Sequence, residues 1–134
     1  MKRYVIDTVA LLAYMVDKLP KRADKVFRDA EVNKVQLIIP SICIGEFIYI
    51  ILKQRNIFNK TPPVDSIDML FDMMEQSENI KYSVLALESW KAIPTIDIPE
   101  LHDRIIVATY LQEKAEAIIT NDLEIGRVAK TIWD

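Results

Sequence analysis

Residues 35–52 read VQLIIPSICIGEFIYIIL, and whether they cross a membrane or fold as part of a domain decides how the rest of the chain is read. The run approaches the roughly 20 apolar residues that a membrane helix needs. Gln36, Pro40, Ser41 and Glu46 interrupt it. A proline ends a strand, and a serine after it caps a helix. The run therefore divides into a strand, Val35–Ile39, and a long helix that Ser41 caps and that reaches to about Arg55. A strand feeding straight into a helix is the repeating unit of an α/β fold.

The same unit recurs on either side. At the N-terminus, MKRYVIDTVALLAYM predicts a strand Arg3–Ile6 and a helix Thr8–Val16, with Asp7 or Thr8 as the N-cap. Lys2-Arg3 before apolar residues resembles a signal peptide, but Asp7 falls inside the apolar region and no small-x-small cleavage site follows. Pro20 marks a turn before a second helix, about Arg22–Asn33. Beyond the central run, Asn59–Asp65 is a loop, and Val64 to about Gln76 is a helix with Asp65 in its first turn. A weaker strand, Lys81–Leu85, precedes a short helix around Trp90, and Pro94 and Pro99 bracket an extended IPTIDIP. The chain closes with helix Glu100–Lys114, strand Ala117–Thr120, a short helix Leu123–Ala129 and strand Thr131–Trp133. Such alternation implies a parallel sheet between helices, joined by right-handed crossovers, in one domain spanning 1–134.

Composition narrows the chemistry. At 134 residues with 51% hydrophobic and 28% charged side chains, the chain is expected to be soluble and to bury a real core. A single cysteine, Cys43, suits a reducing cytoplasm and a buried packing role. The single histidine, His102, has no partner for zinc. Two glycines in the whole chain leave no phosphate-cradling loop, and no Ser/His/Asp set can be assembled. The net charge of −3 counts mildly against a polyanion partner, unless several acids are neutralised by bound cations.

Ligands of open parallel sheets sit beyond the carboxyl ends of the strands. Asp7 follows the first strand, and Asp122 follows AIIT. Asp103 stands in the first turns of LHDRIIVATYL. Glu46 lies one turn into its helix and is the only charge between Lys34 and Lys53. Each has a structural reading of its own: Asp7 and Asp122 as N-caps, Asp103 as a complement to the helix dipole, Glu46 as a rim residue. Glu124, two residues beyond Asp122, reads as a solvated helix position or a further ligand. Gathered together, such carboxylates repel one another, and a hard divalent cation relieves the repulsion. Such a site can activate water for phosphodiester hydrolysis.

The ordered set VIDT, PSICIGEF, LHDRIIVATYL and IITNDLEI resembles the PIN-domain ribonucleases, most closely the VapC-type toxins of toxin–antitoxin pairs. The resemblance runs from the first strand to Glu124. It implies a three-layer α/β/α domain around a central parallel sheet, Mg²⁺ or Mn²⁺, and endonucleolytic cleavage of RNA. It also implies a homodimer and inhibition by a small VapB-like antitoxin whose tail covers the cleft. Carried over by position, Asp7, Glu46, Asp103 and Asp122 match the family's acidic quartet, while Thr8 and Thr120 match its accompanying hydroxyls. Two departures stand out. The family often has glycine before the last motif strand, where this chain reads QEKAEAIIT, and Glu124 replaces an aspartate that some members carry.

The expectation is therefore a cytoplasmic, metal-dependent endoribonuclease with Asp7, Glu46, Asp103 and Asp122 as ligands. Thr8, Thr120 and Asn121 are candidates for orienting carboxylates or water, and Lys53, Arg55 and Arg104 for meeting RNA phosphates. The rival readings are a non-catalytic scaffold on the same fold, a housekeeping RNA-processing nuclease, and a phosphoacceptor receiver-like domain. The last wants paired acids on the first strand and a late lysine, and this chain offers neither.

Overall fold

The computed structural model describes residues 1–134. Strands β1 (Arg3–Ile6), β2 (Gln36–Pro40), β3 (Ile80–Ser83), β4 (Ala117–Ile119) and β5 (Thr131–Ile132) form one sheet in the order β3-β2-β1-β4-β5. Every pairing is parallel, with Val5 between Ile38 and Ile118 at the centre. The helices are α1 (Thr8–Met15), α2 (Lys21–Glu31), α3 (Ser41–Leu52), α4 (Ser66–Gln76), α5 (Leu87–Ala92), α6 (Leu101–Gln112) and α7 (Leu123–Gly126). No helix is long and apolar enough to cross a membrane, and the central run is indeed a strand followed by a helix.

Right-handed crossovers place α1–α4 on one face, because the chain steps from β1 outward to β2 and β3, and put α5 and α6 on the other as it returns to β4. The packing agrees: α1 lies on α3 and α3 on α4, whereas α6 packs on α5 and against β1, β2 and β4. Strands covered on both faces need apolar residues at successive positions rather than alternate ones. Val5-Ile6, Leu37-Ile38-Ile39 and Ala117-Ile118-Ile119 are accordingly all buried, with Phe27, Phe47, Leu11 and Ile51 from the helices packed around them.

Several element boundaries differ from expectation. Pro40 closes β2 and is itself the N-cap residue of α3, so Ser41 is the first helical residue and makes no side-chain cap. Asp65 is the N-cap residue of α4 rather than part of its first turn; its carbonyl accepts the Met69 N–H at 3.0 Å, but its side chain makes no cap bond. Part of IPTIDIP forms a 3₁₀ turn, Ile93–Thr95, rather than running extended. Helices α1, α2, α3 and α6 each stop short of the expected end, on Asp17, Asn33, Gln54 and Lys114, all with positive φ. In each, the next amide reaches back five residues: Lys18 to Ala13, Lys34 to Asp29, Arg55 to Ile50, Ala115 to Tyr110. These are left-handed terminations of the kind glycine favours, built here without glycine; neither glycine in the chain has positive φ.

Candidate active site

The chain leaves β1 toward β2 on one side and later returns to place β4 on the other. That reversal opens a crevice at the carboxyl ends of β1 and β4. Asp7 closes β1. Its extended backbone makes it the N-cap of α1, and Oδ1 accepts the Ala10 N–H at 2.9 Å. The Thr120 hydroxyl, arriving from the end of β4, donates to Oδ2 and accepts the Asp122 N–H at 3.0 Å. Thr120 thus ties the two strand exits together. Asp122 in turn caps α7, its Oδ1 accepting from the amides of Glu124 at 2.8 Å and Ile125 at 3.1 Å. The structural and functional readings of both aspartates are compatible: capping leaves one oxygen of Asp122 unbonded, and each Asp7 oxygen, engaged by a single donor, keeps a further lone pair.

Asp103 sits in the first turn of α6 and Glu46 in the second turn of α3. Both line the same cavity as Asp7 and Asp122, a hollow of about 410 Å³ that also includes Thr8, Asn121, Glu100 and His102. Burial pushes the Asp7 carboxyl up to about 7 against the two hydrogen bonds that lower it, and the charges of Asp122 and Glu46 add to the rise. Burial, with Asp122 next, raises Asp103 as well, while His102 partly offsets it. Two carboxyls held above their ordinary range by desolvation and by the charges of Asp122 and Glu46 mark a site that is short of positive charge.

A larger hollow of about 730 Å³ beside the edge strand, lined by Phe71, Met74 and Tyr82, gathers no comparable set of groups. Chemistry, not size, picks out the carboxylate cavity.

The sequence model of the PIN domain matches residues 4–131. The chain belongs to the PIN-domain family. No curated protein sequence matches it. Among solved structures, VapBC2 from Rickettsia felis, bound to a DNA fragment from its promoter, aligns at TM-score 0.71 and 15% identity over 98% of this chain and 99% of that one. A toxin–antitoxin complex from Klebsiella pneumoniae aligns at 0.67 and 14%, covering 96% and 95%. VapC20 from Mycobacterium tuberculosis, a toxin that cleaves the sarcin-ricin loop, aligns at 0.64 and 9%, covering 92% and 93%. At these identities the likeness is one of fold, and the five-stranded parallel sheet between helices is the PIN arrangement.

Within this PIN domain the expected residues divide. The quartet, Thr8 and Asn121 line the cavity, and Thr120 braces it from beneath. Thr8 does not cap α1, because Asp7 does; its buried hydroxyl finds no hydrogen-bond partner and lies beside the Cys43 thiol. Cys43 is a fully buried packing residue, its thiol pushed up to about 12 by burial. Glu124 lies outside the cavity, paired with Arg127 at 2.6 Å. Arg104 is no free phosphate contact: its Nε donates to the Ile98 carbonyl at 2.6 Å and an Nη to Ile93 at 3.4 Å, fastening the 3₁₀ turn to α6. Lys53 and Arg55 are exposed and flank the Tyr49 ring, 5.6 and 5.5 Å from its centroid. Sequence reasoning missed Glu100 and His102. The only available signal was adjacency to Asp103 on a helix that enters the crevice.

The donor set fits a hard divalent cation. Every carboxylate is an oxygen ligand, the orphaned Thr8 hydroxyl is a further oxygen on the wall, and the charge deficit is the one such an ion repairs. No three of the acidic or imidazole side chains stand close enough together to grip one ion directly. That spacing suits magnesium, which keeps several waters and binds through one or two carboxylates.

Proposed function

We propose that this PIN domain is a Mg²⁺- or Mn²⁺-dependent endoribonuclease and the toxin of a VapBC-type pair. The observation that carries this reading is the placement of Asp7, Glu46, Asp103 and Asp122 on one cavity at the sheet's reversal point. These four side chains would hold the ion, one or two directly and the others through its waters, Asp7 and Asp122 with orientations already set by backbone amides and Thr120. A bound divalent ion supplies Lewis acidity, polarising the phosphoryl group and easing deprotonation of the attacking water.

The chain's own part is to preorganise. Burial leaves Asp7 only about half ionised near pH 7, and it would give up the remaining proton as positive charge enters. Val9 and Ile106 provide the apolar wall that limits water. Asn121 offers an amide at the rim, and Lys53 and Arg55 supply cations free of acidic partners for the RNA backbone. Two of the similar structures are toxin–antitoxin assemblies, which supports a small VapB-like antitoxin as partner; a homodimer as the working form and the cytoplasm as the compartment rest on the resemblance to VapC-type toxins.

The test is cleavage of single-stranded RNA by purified protein freed of any partner. Cutting is expected with Mg²⁺ or Mn²⁺, is stopped by chelation, and falls at least about 100-fold in Asp7→Asn. The spacing of the acids, too wide for three to share one ion, favours one other reading, a non-catalytic scaffold on the PIN fold. Folded wild-type protein that binds neither ion and leaves RNA intact would establish that scaffold instead. An active enzyme insensitive to a co-expressed small neighbour would be a processing nuclease rather than a toxin.

A further inference from the structure

Of the four carboxylates, Glu46 is the one that the backbone leaves loosest. Asp7 and Asp122 each accept two hydrogen bonds, and Asp103 rides on a short side chain at the start of α6. Glu46 has one more rotatable bond than an aspartate, and its side chain is 39% exposed. Nothing in the backbone stops it from swinging out of the cavity into water.

His102 stands beside it. Its Nε2 lies 3.5 Å from Glu46 Oε1, is sealed from solvent, and makes no hydrogen bond. A buried polar group left unpaired costs about 1–3 kcal/mol, so this nitrogen needs a partner, and Glu46 Oε1 is the acceptor set beside it. An unprotonated Nε2 would turn a lone pair toward a carboxylate; the proton therefore belongs on Nε2, in the neutral and the charged ring alike. A small closure of the distance and a turn of the ring, which need no ion in the cavity, complete the bond.

We propose that His102 is the positioning residue of Glu46: its Nε2–H donates to Glu46 Oε1 and holds that carboxylate inside the cavity. The bond ties α6 to α3 across the crevice, so the elements carrying Asp103 and Glu46 are set relative to each other by a side-chain contact. Its consequence for activity rests on the nuclease reading; its geometry does not. Without the tether Glu46 is divided between cavity and solvent, and apparent ion affinity falls by the fraction of time that it is absent. Loss of such an orienting partner typically costs about 10–100-fold in metal affinity or activity.

Because His102 is the only histidine, ¹H–¹⁵N spectra of labelled, metal-free protein report its ring without ambiguity. A slowly exchanging Nε2–H proton is expected in the wild type and is expected to vanish in Glu46→Ala. Its absence from the wild type, or its survival in Glu46→Ala, overturns the proposal. Titration with Mn²⁺ and RNA cleavage form the second arm. His102→Phe, which keeps a ring without a donor, should lose about 10–100-fold in both, while His102→Gln, which keeps an N–H, should recover most of that. His102→Phe should add nothing in the Glu46→Ala background. Equal losses in the Phe and Gln variants, or no loss in either, also overturn the proposal. If the wild type neither binds Mn²⁺ nor cuts RNA, the nuclease reading fails, and the spectroscopic arm still decides whether His102 holds Glu46.

Discussion

Asp7 serves two ends that pull in opposite directions. As the cap of α1 and the acceptor of Thr120 it organises the centre of the sheet, yet only 5% of it reaches solvent and four further carboxylates line the same cavity. Burial therefore moves it from 3.8 to about 7. A carboxyl whose folded pKa lies above its unfolded one binds more protons in the native state between those values. Stability of the metal-free protein must then fall as pH rises through the window. The contribution is fully present below about pH 4, is lost by about pH 7, and is at most roughly 4 kcal/mol from a shift of about three units. Asp7→Asn removes the group while keeping its shape and its capping oxygen. In urea titrations with chelator from pH 4.5 to 8, the variant's advantage over the wild type should grow with pH, while on the proposed nuclease function the same substitution should lower cleavage. Parallel stability curves would show that Asp7 is ionised without cost and that the cavity is not short of positive charge.

At the scale of elements, the stretch from 35 to 52 shows how much could be read in advance. Pro40 split it correctly because a proline's missing donor is a local fact, and the apolar strands were plain because burial on both faces leaves no polar positions. What could not be read were the helix ends. Helix terminations are usually signalled by glycine, and here Asp17, Asn33, Gln54 and Lys114 take the left-handed position instead. The preference for continuing the helix lost to tertiary closure, which pulls each following amide back onto the last turn. The clustering of the candidate site was legible in part for the same reason. Asp7, Glu46, Asp103 and Asp122 stand at strand exits and helix starts that the topology brings together, whereas the loss of Arg104 to backbone carbonyls depends on a 3₁₀ turn that no local signal announced. The left-handed residues give a direct check. A non-glycine residue there costs about 1–2 kcal/mol of local strain, so Gln54→Gly and Lys114→Gly should each stabilise the fold by about 0.5–1 kcal/mol after the glycine's extra unfolded freedom is subtracted. Asn33→Gly should not, because Asn tolerates the conformation and its Oδ1 accepts from Asn79 Nδ2 at 2.6 Å. Chemical unfolding of the three variants separates these cases; equal effects at all three would mean that the terminations are unstrained.

For the molecule as a whole, the charge balance and the site are one problem. A chain of net −3 that concentrates acids on a single cavity repels any polyanion there until cations arrive. Ion binding should then act as the link between protonation, stability and substrate. Entry of Mg²⁺ or Mn²⁺ displaces the proton from Asp7, so apparent affinity should climb with pH and level off above about 7. One unit below that value, roughly nine-tenths of Asp7 is protonated, and affinity at pH 6 should be about tenfold weaker than at pH 8. At a hundredfold excess over its dissociation constant the ion adds about 2.7 kcal/mol to the folded state, enough to raise the melting temperature by several degrees. The same addition would offset most of the stability that ionised Asp7 removes. Calorimetric titration at pH 6, 7 and 8, paired with melting curves at each pH, tests the linkage. Affinity that is flat across this range, with a melting shift that persists in Asp7→Asn, would place the ion elsewhere on the fold. A steep rise that disappears in the variant would make the buried carboxylate at the end of β1 the residue through which the whole domain senses its metal.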